Sequence, residues 1–227
     1  MISIVIPTYN EEKFLPLLLK SIKKQGYKDY NIIVADSSTD KTRKIAKKYG
    51  CIVVDGGNPA KARNNGAKIT NHDLLFLDAD DILPDKFLGQ FIRACKGYDI
   101  VSCKVLPASD KFSYNLYYLV KNFLNKNNPT PHCSGQCVFI KKSLFNKISG
   151  YDEYLFLGEE HDLVQRSIKS GGTFKFLDLH LLNSPRRIEK EGFFGLTFKS
   201  LYSEGYRMVF GNVKRKFIEY DYSFYSK

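Results

Sequence analysis

The sequence has no Cys-x-x-Cys pair among its five cysteines, which stand at 51, 95, 103, 133 and 137. An odd number at irregular spacing is not a disulfide framework, so a reducing, cytoplasmic interior is expected. Cys133 and Cys137 have no matching second pair, which favours buried structural thiols over a metal site. Neither Gly-x-Gly-x-x-Gly nor the Gly-x-x-x-x-Gly-Lys-Ser/Thr loop occurs, which removes the dinucleotide fingerprint and the P-loop. No apolar run approaches about 18 residues, so no membrane-spanning helix is expected. The chain enters a strand at Ile2, so no signal peptide is expected. Internal repeats and low-complexity segments are absent. Acidic residues are few beside basic ones, 24 against 35, for a net charge of +11. That balance suits an anionic partner: a nucleotide, a phospholipid headgroup or nucleic acid. With 43% hydrophobic residues in 227, the chain can bury a core as one domain, with or without an appendage.

What is present centres on Leu74-Leu75-Phe76-Leu77-Asp78-Ala79-Asp80-Asp81. A short apolar run reads as a strand buried on both faces, as in a parallel sheet. The carboxylates then fall at its C-terminal end, where open α/β sheets bind ligands. If the chain stays extended there, Asp78 and Asp80 share a side. Two such carboxylates suit a hard cation, Mg²⁺ or Mn²⁺. The alternative is an acidic turn into a helix, with Pro84 in the first turn and Asp80 or Asp81 as cap.

Strand and helix alternate around this stretch. Strands are expected over residues 2–6, 32–35 and 52–54, with helices from about Leu15, over 41–49 and over 59–69. This pattern through residue 95 predicts a doubly wound parallel sheet, with the loops 7–12, 36–40 and 78–81 meeting at one edge. Beyond it, helices are expected over 84–95, 112–125 (or a mobile loop), 141–148, 157–170 and 196–210. Strands are expected over 98–105, 134–140 and 174–178.

Five pieces in order carry a resemblance: Val5-Ile6-Pro7-Thr8-Tyr9-Asn10-Glu11; Asp36-Ser37-Ser38-x-Asp40-x-Thr42; Ala62-Arg63-Asn64-x-Gly66; Asp78-x-Asp80; and Gly158-Glu159-Glu160. Together with Gly150-Tyr151-Asp152-Glu153 they resemble glycosyltransferase family 2 over residues 1 to about 170. The family usually has Glu-Asp where this chain has Glu159-Glu160. The resemblance implies a GT-A fold, in residues 1–185, followed by a basic and aromatic appendage, 186–227. It implies inverting transfer from a nucleotide-sugar donor, UDP-linked by family habit, to a saccharide or lipid-linked acceptor. It implies Mn²⁺ or Mg²⁺ on Asp80 and Asp78, and Glu160, with Glu159 beside it, as base. Pro7, Thr8, Tyr9, Glu11, Asp36 and Ser38 would meet the nucleoside, Asp36 accepting from a uracil imide, while Arg63 meets the diphosphate. Arg186 and Arg187 are expected over the diphosphate or an acidic acceptor, or else in a basic surface turn. His161 and His180 are candidate extra metal ligands.

Bland readings exist for each: Asp36 in an Asx turn, Glu11 and Glu160 as first-turn acids, Arg63 on a solvated helix face. Competing functions are a nucleotidyltransferase and a non-catalytic basic module for membrane or nucleic acid. The tail from 192 mixes aromatics with Lys199, Arg207 and Lys214-Arg215-Lys216. That mixture suits either a bilayer interface, making the protein peripheral on an anionic membrane, or packing on the domain or a second copy.

Overall fold

Strands form where aliphatic residues run unbroken, and the basic and amphipathic stretches between them form helices. A computed structural model describes residues 1–127, 133, 135–155 and 157–210. In chain order the elements are β1 (Ile2–Thr8), α1 (Leu15–Lys24), β2 (Tyr30–Asp36), α2 (Thr42–Lys48), β3 (Ile52–Asp55), α3 (Pro59–Lys68), β4 (Asp73–Leu77), β5 (Asp81–Ile82) and α4 (Phe87–Ala94). Then follow β6 (Ile100–Pro107), α5 (Phe112–Asn127), β7 (Cys137–Ile140), α6 (Lys142–Lys147), α7 (Glu159–Lys169), β8 (Phe174–Asn183), α8 (Arg186–Glu191) and α9 (Phe193–Phe210).

One eight-stranded sheet has the order β3-β2-β1-β4-β7-β6-β8-β5. The first four are parallel, as the alternation predicts. β7 runs antiparallel between β4 and β6, and β5 antiparallel on β8. The sheet is therefore an α/β sheet, mostly parallel, with helices on both faces. Side-chain alternation divides β1 between two cores: Ile4 and Ile6 pack with α1, and Val5 with α3 and α6. Leu74 to Leu77 are fully buried on both faces.

Gly66 lets α3 lie close on the sheet, since a Cβ there would collide with the Val5 side chain. That approach sets Arg63, one turn earlier on α3, beneath the ends of β1 and β4.

Several expectations are corrected here. Pro84 precedes α4, which starts at Phe87 after Lys86 in a left-handed turn (φ 62°). Asp81 caps nothing; it is a fully buried residue of β5. The late strand reaches Asn183 rather than stopping at 178. Of the two readings of 112–125, helix and mobile loop, the helix is found, within α5. Ile188 and Leu196 pack in the main core, in line with the expected alternative that the tail packs on the domain. All five cysteines are free, with Cys133 and Cys137 buried. Ser134 and the tail's Lys214-Arg215-Lys216, Phe217, Ile218, Tyr220, Tyr222, Phe224 and Tyr225 lie outside the described residues. No helix among the described residues is long and apolar enough to cross a membrane.

Candidate active site

The ends of β1 and β4, the start of α7 and the segment after β8 surround a cavity of about 320 Å³. Two arginines organise its acids. Arg63, 3% exposed, places Nη2 3.0 Å from Asp78 Oδ1 and Nη1 3.2 Å from both Glu159 Oε1 and Glu160 Oε1. Its guanidinium also lies 5.4 Å from the ring centre of Tyr151. Tyr151 packs edge-on against Phe76 of β4, and Asn64 holds it by donating to Tyr151 O (2.9 Å) and accepting from Tyr151 N (2.9 Å). This is what Gly150-Tyr151-Asp152-Glu153 does structurally: it locks α3 to the segment leading to α7.

Arg186 makes the second centre. Its fork donates to both oxygens of Glu11, at 2.8 and 2.6 Å, and its Nε lies 3.0 Å from Asp80 Oδ2. The ring of Phe14 lies under the guanidinium at 4.6 Å. Asn183 Nδ2 donates to Asp80 Oδ1 at 3.1 Å and to Asp81 Oδ1 at 2.8 Å. Asp81 Oδ2 in turn accepts from the Asp78 backbone N–H at 2.9 Å. Asp81 is thus a brace for the turn that carries Asp78 and Asp80.

The acids outnumber what the arginines neutralise, and their acidities show it. Burial pushes Glu11 up to about 7, against the pull of Arg186, with Asp80 and Asp78 adding to the rise. Burial and the neighbouring Glu160 push Glu159 up to about 8, against Arg63. Asp80 is also raised, by burial first and then by Asp78, against Arg186, and Asp81 is raised by burial first and then by Asp78 and Asp80. Perturbed acids gathered in a cavity are the electrostatic mark of a functional site.

The structure brings Pro7, Tyr9, Glu11, Arg63, Asp78, Asp80, Glu159, Glu160, His161, Arg186 and Arg187 to one cavity. Asp36, Thr8 and Ser38 are not among the residues that line it. The hydroxyls of Thr8 and Ser38 donate to Asp36 Oδ1 at 2.7 and 2.6 Å. Arg63, expected on the diphosphate, has its fork engaged by three carboxylates instead. Arg187 pairs with Glu191 one turn on, at 3.2 Å. His180 is corrected outright. It is exposed on β8 and outside the cavity lining, because strand alternation turns it to the face opposite Asn183. Asn183 and Asp81 were missed as site-builders. An asparagine directly before Ser184-Pro185-Arg186 would have flagged the first, had the strand been read to its end.

Replacing Arg63 tests the electrostatic account. Arg63→Met is expected to cost about 3–5 kcal/mol, because it strands buried carboxylates. The pH sign follows from Glu159, whose pKa already stands above its ordinary 4.5. A raised carboxyl contributes stability below its unfolded value, and that contribution fades as pH climbs through the folded one. Losing Arg63 raises it further, so the deficit in urea midpoint should stay level from pH 5 to about pH 8 and widen above that, where Glu159 of the parent has ionised and that of the variant has not. A deficit that shrinks with rising pH would contradict this.

The donor set also fits a divalent cation. Asp78 and Asp80 are hard oxygen donors, and Asp80 already holds a cationic nitrogen at 3.0 Å. Among the described residues no cluster of three protein ligands occurs. Substrate phosphates and water would complete the shell, as is usual for Mg²⁺.

TarS, the poly(ribitol-phosphate) beta-N-acetylglucosaminyltransferase of Staphylococcus aureus, is 34% identical over 93 residues, which is 36% of this chain and 16% of TarS. The solved structure of TarS 1-349 in complex with UDP-GlcNAc superposes with a TM-score of 0.64 at 22% identity, over 81% of this chain and 58% of that one. Mannosyltransferase PcManGT from Pyrobaculum calidifontis, solved in complex with GDP-Man and Mn²⁺, gives 0.67 at 17% identity, over 88% and 64%. The chain thus spans less than two thirds of the length of each. These likenesses show a GT-A-type fold. Residues 3–149 match the family model described as Glycosyl transferase family 2, and with that span covering most of the sheet and the Asp78–Asp80 turn, the chain belongs to glycosyltransferase family 2.

Proposed function

We propose that this chain transfers a sugar, with inversion, from a UDP-linked donor to an acceptor hydroxyl or lipid phosphate. The observation that carries the reading is the pairing of two buried acid clusters across one cavity. Asp78 and Asp80 sit on one side and Glu159 and Glu160 on the other, bridged by Arg63. Asp80 and Asp78 would hold Mn²⁺ or Mg²⁺, which supplies positive charge where the leaving diphosphate gathers negative charge. Tyr9 and Pro7 wall the nucleoside site. Asp36 keeps Oδ2, 3.7 Å from Arg43, to accept from a uracil imide. Glu160 takes the proton from the acceptor hydroxyl as it attacks the anomeric carbon opposite the departing phosphate. Glu159 lies beside Glu160 on the same guanidinium, 3.2 Å from Arg63 Nη1, and is the alternative for the role. The catalytic unit then takes in α8 as well as residues 1–185, because Arg186 is tied to Glu11 and Asp80.

Thermal shift tests the reading. UDP with Mn²⁺ should raise the melting temperature more than UDP alone, and oligonucleotides should not raise it. A shift seen only with oligonucleotides, falling steeply with salt, would overturn the proposal. Screening hydrolysis over a panel of nucleotide sugars would then name the donor.

A further inference from the structure

Helices α5 and α9 are built inside out. A helix on a water-soluble domain normally turns its apolar stripe inward. On α5 the inward face is Tyr114, Tyr118, Asn122 and Asn125, all buried. Its outward face carries Phe112, Leu119 and Phe123, exposed by 80%, 64% and 64%. The orientation is fixed by polar anchors. Asn122 accepts from Val105 N (3.0 Å) and donates to Val105 O (2.7 Å), and Tyr118 donates to Asn183 Oδ1 at 2.8 Å. On α9, Leu196 and Ser203 face in, while Phe194 (84%), Phe198 (72%), Leu201 and Tyr202 face out at i, i+4, i+7 and i+8. The two helices are joined where Tyr117 Oη and Ser200 Oγ lie 3.2 Å apart.

The outward stripes run into the active-site cavity. Val120 and Leu201 are both exposed and part of its wall. An apolar face of this kind, continuous with a site, marks an interaction surface. Its charge setting chooses the occupant. α5 contains no acidic residue, and the exposed Lys111, Lys126, Arg187 and Lys190 lie on or beside the helix pair, Lys126 paired with Asp178 and Arg187 with Glu191 at 3.2 Å each. Aromatic side chains flanked by bases are the composition of a bilayer interface.

We infer that the outer faces of α5 and α9 dock on an anionic bilayer, turning the cavity mouth toward the lipid. This deepens the proposed function: the acceptor is an amphiphile whose apolar part stays in the membrane while its reacting hydroxyl or phosphate reaches Glu160. Tyr118 connects the docked helix to Asn183, and so to Asp80.

Vesicle flotation of the full chain tests it, with phosphatidylcholine vesicles containing about one third phosphatidylglycerol against phosphatidylcholine alone. The chain should float with the anionic vesicles, and less so in high salt. Phe194→Ser with Phe198→Ser, and separately Leu119→Ser with Phe123→Ser, should each lower the bound fraction about tenfold. None of the four lines the cavity, so melting temperature and the shift with UDP and Mn²⁺ should stay as in the parent. That second readout separates failure of the docking from failure of the transferase reading. A parent chain that does not float, or variants that float as well as it does, would overturn the inference. So would sedimentation showing that these substitutions dissociate a dimer, which would assign the face to a second copy.

Discussion

Glu160→Gln should lower turnover by roughly 10²–10⁴-fold, the usual contribution of a positioned general base, while leaving donor affinity nearly unchanged. The amide keeps the length of the side chain and the space it fills against Gly135, where a Cβ would strike the Glu160 carboxylate. It also still offers an oxygen to Arg63 Nη1, now 3.2 Å from Glu160 Oε1. What it lacks is the capacity to take a proton. Glu159→Gln is the control. Glu159 is buried beside the same guanidinium at 3.2 Å, and removing its titration should change the pH dependence of turnover more than its maximum. If Glu159→Gln shows the large loss and Glu160→Gln the small one, the role belongs to Glu159.

Asp80→Ala should remove activity by about 10³-fold or more, as expected when charge stabilisation of a leaving diphosphate is lost. Its effect on folding should be slight. Burial raises the pKa of Asp80 despite Arg186, so the carboxylate is held at an electrostatic cost. Without it Arg186 keeps both bonds to Glu11. The melting temperature without metal should therefore match the parent, and the added shift from Mn²⁺ in the presence of UDP should vanish. An Asp80→Ala protein with near-normal turnover would remove Asp80 from the cation site.

The first four strands and their helices were legible because each is an apolar run closed by a turn signal. Leu74 to Leu77 could be read as buried on both faces from composition alone. The rest failed for identifiable reasons. β5 has two residues, Asp81 and Ile82, too few for any period. β8 alternates exposed polar with half-buried apolar residues, so its apolar signal ended five residues early and hid Asn183. On α5, helical spacing tells which residues share a face. It does not tell that Tyr118 and Asn122 point inward and Phe123 outward, because that is decided by partners on β6 and β8. The Glu11–Arg186 pair spans 175 positions, and no local pattern announces such a contact. The Asp78-x-Asp80 and Glu159-Glu160 acids were visible as residues, but the arginine joining them had been given to the substrate.

The bridge from Arg186 to Glu11 and Asp80 has a consequence for how the protein is made. The chain leaves the ribosome with β1 to β4 first, a parallel unit able to pair as it emerges. Glu11, Asp80 and Asp81 are then already in place, yet Asn183 and Arg186 are about a hundred residues from being translated. At common rates of synthesis that interval is roughly 5–20 s. During it the nascent sheet edge carries acids with no counter-charge, and protonation or hydration must keep them from closing into the core. The catalytic cradle is therefore among the last parts of the nascent protein to become native. Chains stalled before residue 186 would be ordered at one end and would lack the Arg186 bridge to Glu11 and Asp80 at the other.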